Sequence, residues 1–95
     1  MSIQIVRFTT DAEQVPDVER AIKKLFAAVE DAAPTGIEYA AARVGNADFV
    51  LTLQLTDANP LLQLQEALEF RGRIAEWAGA PVLPQPVTLL ARYSG

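Results

Sequence analysis

Residues 37–55 read IEYAAARVGNADFVLTLQL, and the way this stretch divides decides the fold. Phe49, Leu51, Leu53 and Leu55 alternate with Val50, Thr52 and Gln54, the period of two that marks a strand with one wholly apolar face. Gly45-Asn46-Ala47-Asp48 supplies turn chemistry just before it. Ile37 to Val44 then reads as the partner strand, and the stretch is a hairpin.

Working outward from that hairpin, an amphipathic segment flanks it on each side. Upstream, Pro16 to Asp31 gathers Val18, Ala21, Ile22, Leu25, Phe26 and Val29 on one side at helical spacing. Glu19, Arg20, Lys23, Lys24 and Glu30 fall on the other. Ala33-Pro34-Thr35-Gly36 ends this helix, because a residue before proline avoids helical angles. Downstream, the turn TDANP leads to a second helix over Leu61 to Ala78, capped by Asp57 or Asn59 and closed by Gly79.

The two ends of the chain read as strands. Ser2 to Thr9 places Ile3 and Ile5 on one side and Val6 and Phe8 on the other. Val87 to Tyr93, VTLLARY, follows three prolines that keep the chain extended. The order is β-α-β-β-α-β within a single domain spanning residues 1–95. With right-handed crossovers this is an α+β ferredoxin-like sandwich, a four-stranded antiparallel sheet with two helices on one face. The other sheet face, carrying Val6, Phe8, Val50, Leu90 or their alternates, is then bare. A contiguous apolar face of that size calls for a cover, and a homodimer through the open sheet face provides one.

Composition narrows the chemistry. The 95 residues are 51% hydrophobic and carry a net charge of −4, with no cysteine and no histidine. Disulfides, thiolate metal sites, histidine-ligated metals and histidine-based triads are excluded. No two carboxylates have a metal-binding or glycosidase spacing, so no metal site is expected. Acidic charge without a basic cluster argues against nucleic acid. The N-terminus has no signal-peptide pattern, and no run of about twenty apolar residues exists for a bilayer. The expectation is a cytoplasmic protein.

What remains as candidate chemistry is cationic and aromatic. In the segment EFRGRIAEWAG, Arg71 falls inside the apolar arc formed by Leu61, Leu64, Ala67, Leu68, Ile74, Ala75 and Ala78. Phe70 and Trp77, seven residues apart, share its edge. Arg71 is either an anion-stabilising donor at a cavity mouth, with Phe70 and Trp77 as its aromatic wall, or a structural cation. The structural version pairs it with a carboxylate, or with carbonyls freed by a helix bend at Gly72. Tyr39 and Arg43 share one face of the second strand with Ala41. The alanines at 40, 41 and 42 leave room for either a ligand or a close subunit. Gln4, Arg7, Thr52, Gln54 and Arg92 are polar positions in apolar strands, and Asn46 is a turn residue.

The phrases SIQIVRF, VERAIKKLFAAVE, GIEYAAARV with FVLTLQL, EFRGRIAEW and VTLLARY together resemble the dimeric α/β barrel superfamily. Within it, the chain is most similar to small actinobacterial-type proteins grouped with the antibiotic biosynthesis monooxygenase family. The resemblance covers nearly the whole chain as a pattern of elements. It implies a small cavity between the sheet and the helices of each subunit. It also implies oxygenation of a small aromatic or quinol substrate without metal or flavin, with Arg71, Trp77, Tyr39 and Arg43 as the candidate catalytic residues. The alternative is a non-catalytic dimeric barrel that binds a small apolar ligand or serves as an interaction module. Haem-degrading relatives use a histidine ligand, which this chain lacks, so the resemblance does not extend to that reaction.

Overall fold

A computed structural model describes residues 2–95. Strand β1 (Ser2–Thr9) is followed by a short 3-10 turn and helix α1 (Val15–Ala32). The hairpin of β2 (Ile37–Val44) and β3 (Asp48–Leu55) comes next. A second 3-10 turn (Pro60–Gln63), helix α2 (Gln65–Ala78) and β4 (Gln85–Pro86) complete the chain. The antiparallel sheet has the order β2-β3-β1-β4, which is the ferredoxin-like arrangement. Both interior strands, β3 and β1, are sequence neighbours of a helix, so each crossover lays its helix on the same face.

Register assigns the two faces. Phe8 pairs with Phe49 and Val6 with Leu51, while Tyr39 pairs with Leu53 and Ala41 with Leu51. These side chains point toward α1 and α2. Phe8, Phe49 and Leu51 form one buried cluster with Val18, Leu25, Phe70, Ile74 and Trp77. The open face is therefore built by the alternates: Ile3, Ile5 and Arg7 on β1, Val50, Thr52 and Gln54 on β3, and Glu38, Ala40, Ala42 and Val44 on β2. Of the residues expected on the bare face, Val50 is there, whereas Val6 and Phe8 belong to the core. The rings of Phe8 and Phe49 stack on each other at 5.5 Å and need the aromatic partners that only the helix side provides.

Three local features depart from the sequence reading. The fourth strand is Gln85–Pro86 rather than 87–93. Gln4 faces Pro86 and Ile5 faces Gln85, and the Val87 N–H donates to the Ile3 carbonyl at 2.9 Å. In that register Thr88 meets Ser2, the start of β1, so from Leu89 onward the chain runs past the strand it would pair with.

The second helix begins later than expected, at Gln65 rather than Leu61. Leu64 is extended (φ −97°, ψ 117°) and separates the helix from the preceding turn, in which the Leu61 N–H donates to Asn59 Oδ1 at 2.9 Å. Lastly, α2 runs as one continuous helix through Gly72.

Candidate functional site

Moving the start of α2 to Gln65 also changes which of its faces is buried. With Leu61 and Leu64 held in a separate turn, the buried stripe is Phe70, Ile74 and Trp77, spaced at i, i+4 and i+7. Trp77 thus belongs to the buried stripe. Its indole stacks on Phe8 at 6.2 Å and meets Phe70 edge-on at 5.5 Å. The Arg73 guanidinium lies 4.5 Å above its ring, a cation–π contact that covers the outer face. These contacts make Trp77 a core residue.

Arg71 lies one position beyond Phe70, on the flank of α2 that looks toward the sheet through Ala67 and Leu68. It is exposed, and among the described residues no carboxylate pairs with it. Next to it is a cavity of about 100 Å³ between α2, the turn before it and the helix-side face of the sheet. Val6, Leu51, Leu53, Leu61, Phe70, Ile74 and Val82 supply apolar walls, and the polar groups are Gln4, Tyr39, Asn59 and Arg71. Leu62 and Leu68, both half exposed, mark the open side. An apolar pocket with a few converging polar groups is the ordinary form of a small-molecule site.

Tyr39 reaches this cavity because β2 alternation turns it toward the helices, opposite Leu53. Its ring stacks on Phe26 of α1 at 4.8 Å, which fixes its orientation. Burial pushes its phenol up to about 12 from the ordinary 10, since an ionised phenolate loses solvation there. At neutral pH Tyr39 is an uncharged hydroxyl, a donor or acceptor of hydrogen bonds. It is not a base.

Arg43, four residues along the same strand face, does not join the cavity. Its guanidinium bonds Glu19 of α1 at 3.1 Å in an exposed ion pair, the kind that contributes little to stability. The structure therefore brings Arg71 and Tyr39 together with Gln4, while Trp77 and Arg43 stand elsewhere. Asn59, read from the sequence as a helix cap, both caps the turn and lines the cavity. Phe26 as the platform for Tyr39 carried no sequence signal, because its helical spacing is that of any core residue. Asn46 lies in the hairpin turn and Arg7, Thr52 and Gln54 lie on the open face.

A larger groove, about 270 Å³, runs between α1 and α2. Asp17, Arg20, Lys24, Glu66, Glu69 and Arg73 line it, mixed in sign, with Arg20 already paired to Asp17 at 3.3 Å. Among the described residues, no three carboxylates come together as a metal site. No helix there is long and apolar enough to cross a membrane.

No family model matches this chain, and no curated protein matches it. Among solved structures, that of Rv0793 from Mycobacterium tuberculosis is similar over 98% of each chain, with a TM-score of 0.63 at 20% identity. The two chains share a fold.

Proposed function

We propose that this chain is a monooxygenase-like protein that oxidises a single-ring phenol or quinol with dioxygen and without a cofactor, and that it works as a homodimer joined through the open sheet face. The observation that carries the reading is the apolar cavity on which Arg71, Tyr39, Gln4 and Asn59 converge. The likeness of the strand and helix phrases to antibiotic biosynthesis monooxygenase-like proteins supports it.

Size sets the substrate class. An apolar cavity of about 150 Å³ takes a benzene ring, so a space of about 100 Å³, open to solvent past the half-exposed Leu62 and Leu68, sets a single ring as the largest substrate. An unpaired guanidinium beside the ring favours the ionised hydroxyl, whose proton leaves to water at the mouth. The phenolate is electron-rich enough to reduce dioxygen, which partitions into the apolar cavity by itself. Electron transfer and recombination form a carbon–oxygen bond, and the resulting hydroperoxide loses water. For hydroquinone the balance is one dioxygen consumed, with hydroxybenzoquinone and one water formed. Tyr39, held neutral, donates to the developing oxyanion, and Gln4 and Asn59 orient the second hydroxyl.

Oxygen uptake with a series of hydroquinones tests this reading. The expected result is uptake above autoxidation, falling about 100-fold in kcat/KM in Arg71→Ala and about tenfold in Tyr39→Phe. Uptake equal in the wild type and both variants would sink the catalytic reading.

A second reading is favoured by one observation: no carboxylate lines the cavity, and Tyr39, which stays protonated at neutral pH, offers no phenolate to act as a base. On that reading the protein binds the same single-ring anion without turning it over. Calorimetric titration with a redox-inert nitrophenol separates the two. Saturable binding lost in Arg71→Ala, together with silent oxygen uptake, selects the binding module.

A further inference from the structure

Helices α1 and α2 present matching flanks to one another. Positions 17, 20, 21 and 24 on α1, and 66, 69, 70 and 73 on α2, are spaced i, i+3, i+4 and i+7, which is one side of a helix. In each set the i+4 residue is apolar, Ala21 on α1 and Phe70 on α2, and the other three are charged. These flanks wall the groove of about 270 Å³, and Leu25 and Phe70, both buried, give it an apolar floor with Ala21. Phe70 is the one residue that lines both this groove and the sheet-side cavity, so the groove is a second space.

The charges of the groove balance in number but not in place. Asp17, Glu66 and Glu69 stand against Arg20, Lys24 and Arg73. Arg20 is paired with Asp17 at 3.3 Å, and Glu69 accepts from the Gln65 side chain at 3.2 Å. Lys24 and Arg73 have no carboxylate partner among the described residues, although Arg73 rests on the Trp77 ring. Glu66 shows the converse: its Oε2 is buried and accepts no hydrogen bond among the described residues.

A buried carboxylate oxygen without a donor is costly, and native structures keep few of them. It calls for a donor, best a cationic one, whereas Lys24 and Arg73 call for an anion. A ligand that brings only an anion adds negative charge beside Glu66 and leaves its oxygen unbonded. One that brings only an ammonium adds positive charge beside Lys24 and Arg73. A zwitterion answers both needs and adds no net charge to a neutral groove. The apolar floor asks that the same molecule also carry hydrocarbon. At about 270 Å³ the groove lies just below the range of about 300–1,000 Å³ that holds drug-sized ligands, which suits a small molecule.

We infer that the groove between α1 and α2 binds an aliphatic amino acid, its ammonium on Glu66 Oε2, its carboxylate on Lys24 and Arg73, and its side chain on Ala21, Leu25 and Phe70. The site is independent of the sheet-side cavity and of the reaction proposed for it. The test is a titration of the ¹⁵N-labelled whole chain, followed by amide chemical shifts, with L-leucine up to about 10 mM. Three further probes each lack one feature: 4-methylpentanoate has no ammonium, 3-methylbutylamine no carboxylate and glycine no side chain. Glu66→Gln and Lys24→Met are titrated in parallel, and far-ultraviolet circular dichroism checks that both keep their fold.

The expected outcome is saturable binding of L-leucine, with shifts confined to residues 17–25 and 66–73, and at least tenfold weaker binding of each of the other three probes. Glu66→Gln should bring L-leucine down to the affinity of 4-methylpentanoate. Lys24→Met should weaken both carboxylates at least fivefold and leave 3-methylbutylamine unchanged. No saturation by L-leucine overturns the site, as does equal binding of L-leucine and either singly charged probe. Glycine binding as tightly as L-leucine overturns the apolar floor as a side-chain seat. Shifts centred on Val6, Tyr39 and Leu53 place the ligand in the sheet-side cavity and overturn the groove.

Discussion

At the scale of single residues, two neighbours on α2 divide structure from chemistry. Trp77 is enclosed by Phe8, Phe70 and Arg73, so Trp77→Ala is expected to cost about 3–5 kcal/mol, read from urea unfolding. Arg71 has no partner to lose among the described residues, and Arg71→Ala is expected to change stability by no more than about 0.5 kcal/mol while reducing ligand binding. Tyr39 adds a pH signature. Its folded pKa is raised to about 12 from 10, so its contribution to stability is complete below pH 10. That contribution is lost as the pH climbs through 12. Unfolding midpoints measured from pH 9 to 12 should fall more steeply in the wild type than in Tyr39→Phe. The odd placement of Arg71 on an apolar stripe was visible in the sequence. What that stripe faced was not, because two large aromatics outweigh the small or peripheral aliphatics in choosing the buried side, and a wheel that weights all of them alike puts Trp77 at the edge.

The elements show the same division between periodic and register-dependent information. Helix α1 and the hairpin were legible almost to the residue, since local period and turn chemistry determine them. The short β4 was not, because VTLLARY has the composition of a strand and only its register against β1 shows that it overshoots. Within α2, Gly72 is exposed, a Cβ there would meet nothing within 4 Å, and the helix continues through it. Gly72→Ala is therefore expected to stabilise the protein by about 0.5–1 kcal/mol, seen as a higher thermal midpoint. A fall in the midpoint would mean that the backbone at Gly72 does need glycine. Asn59 works in the opposite sense: Asn59→Ala removes the cap on Leu61 and should cost about 1 kcal/mol, besides loosening one wall of the cavity.

For the molecule as a whole, the fold class followed from the order of elements, and the sheet order β2-β3-β1-β4 realises it. The open face was foreseeable from the count of helices, although the alternation of β1 left open which of its two sides lies there until the register with β3 chose Ile3 and Ile5. If two copies share that face, stability must depend on concentration, and the thermal midpoint should rise with each tenfold increase in protein. Val50→Asp, central on the open face and outside the core cluster, should abolish that dependence while leaving the circular dichroism spectrum intact. A midpoint that is constant from 1 to 100 µM in the wild type would show that the face is tolerated bare.

The chain has a single tryptophan, and every contact described for Trp77 comes from the same chain. Its fluorescence is therefore a clock for folding alone. In a refolding experiment the Trp77 signal should follow one first-order rate that is the same at every protein concentration. If two copies pair as proposed, the rise in molar mass should lag behind it with second-order kinetics, so that assembly is seen as a separate event in time.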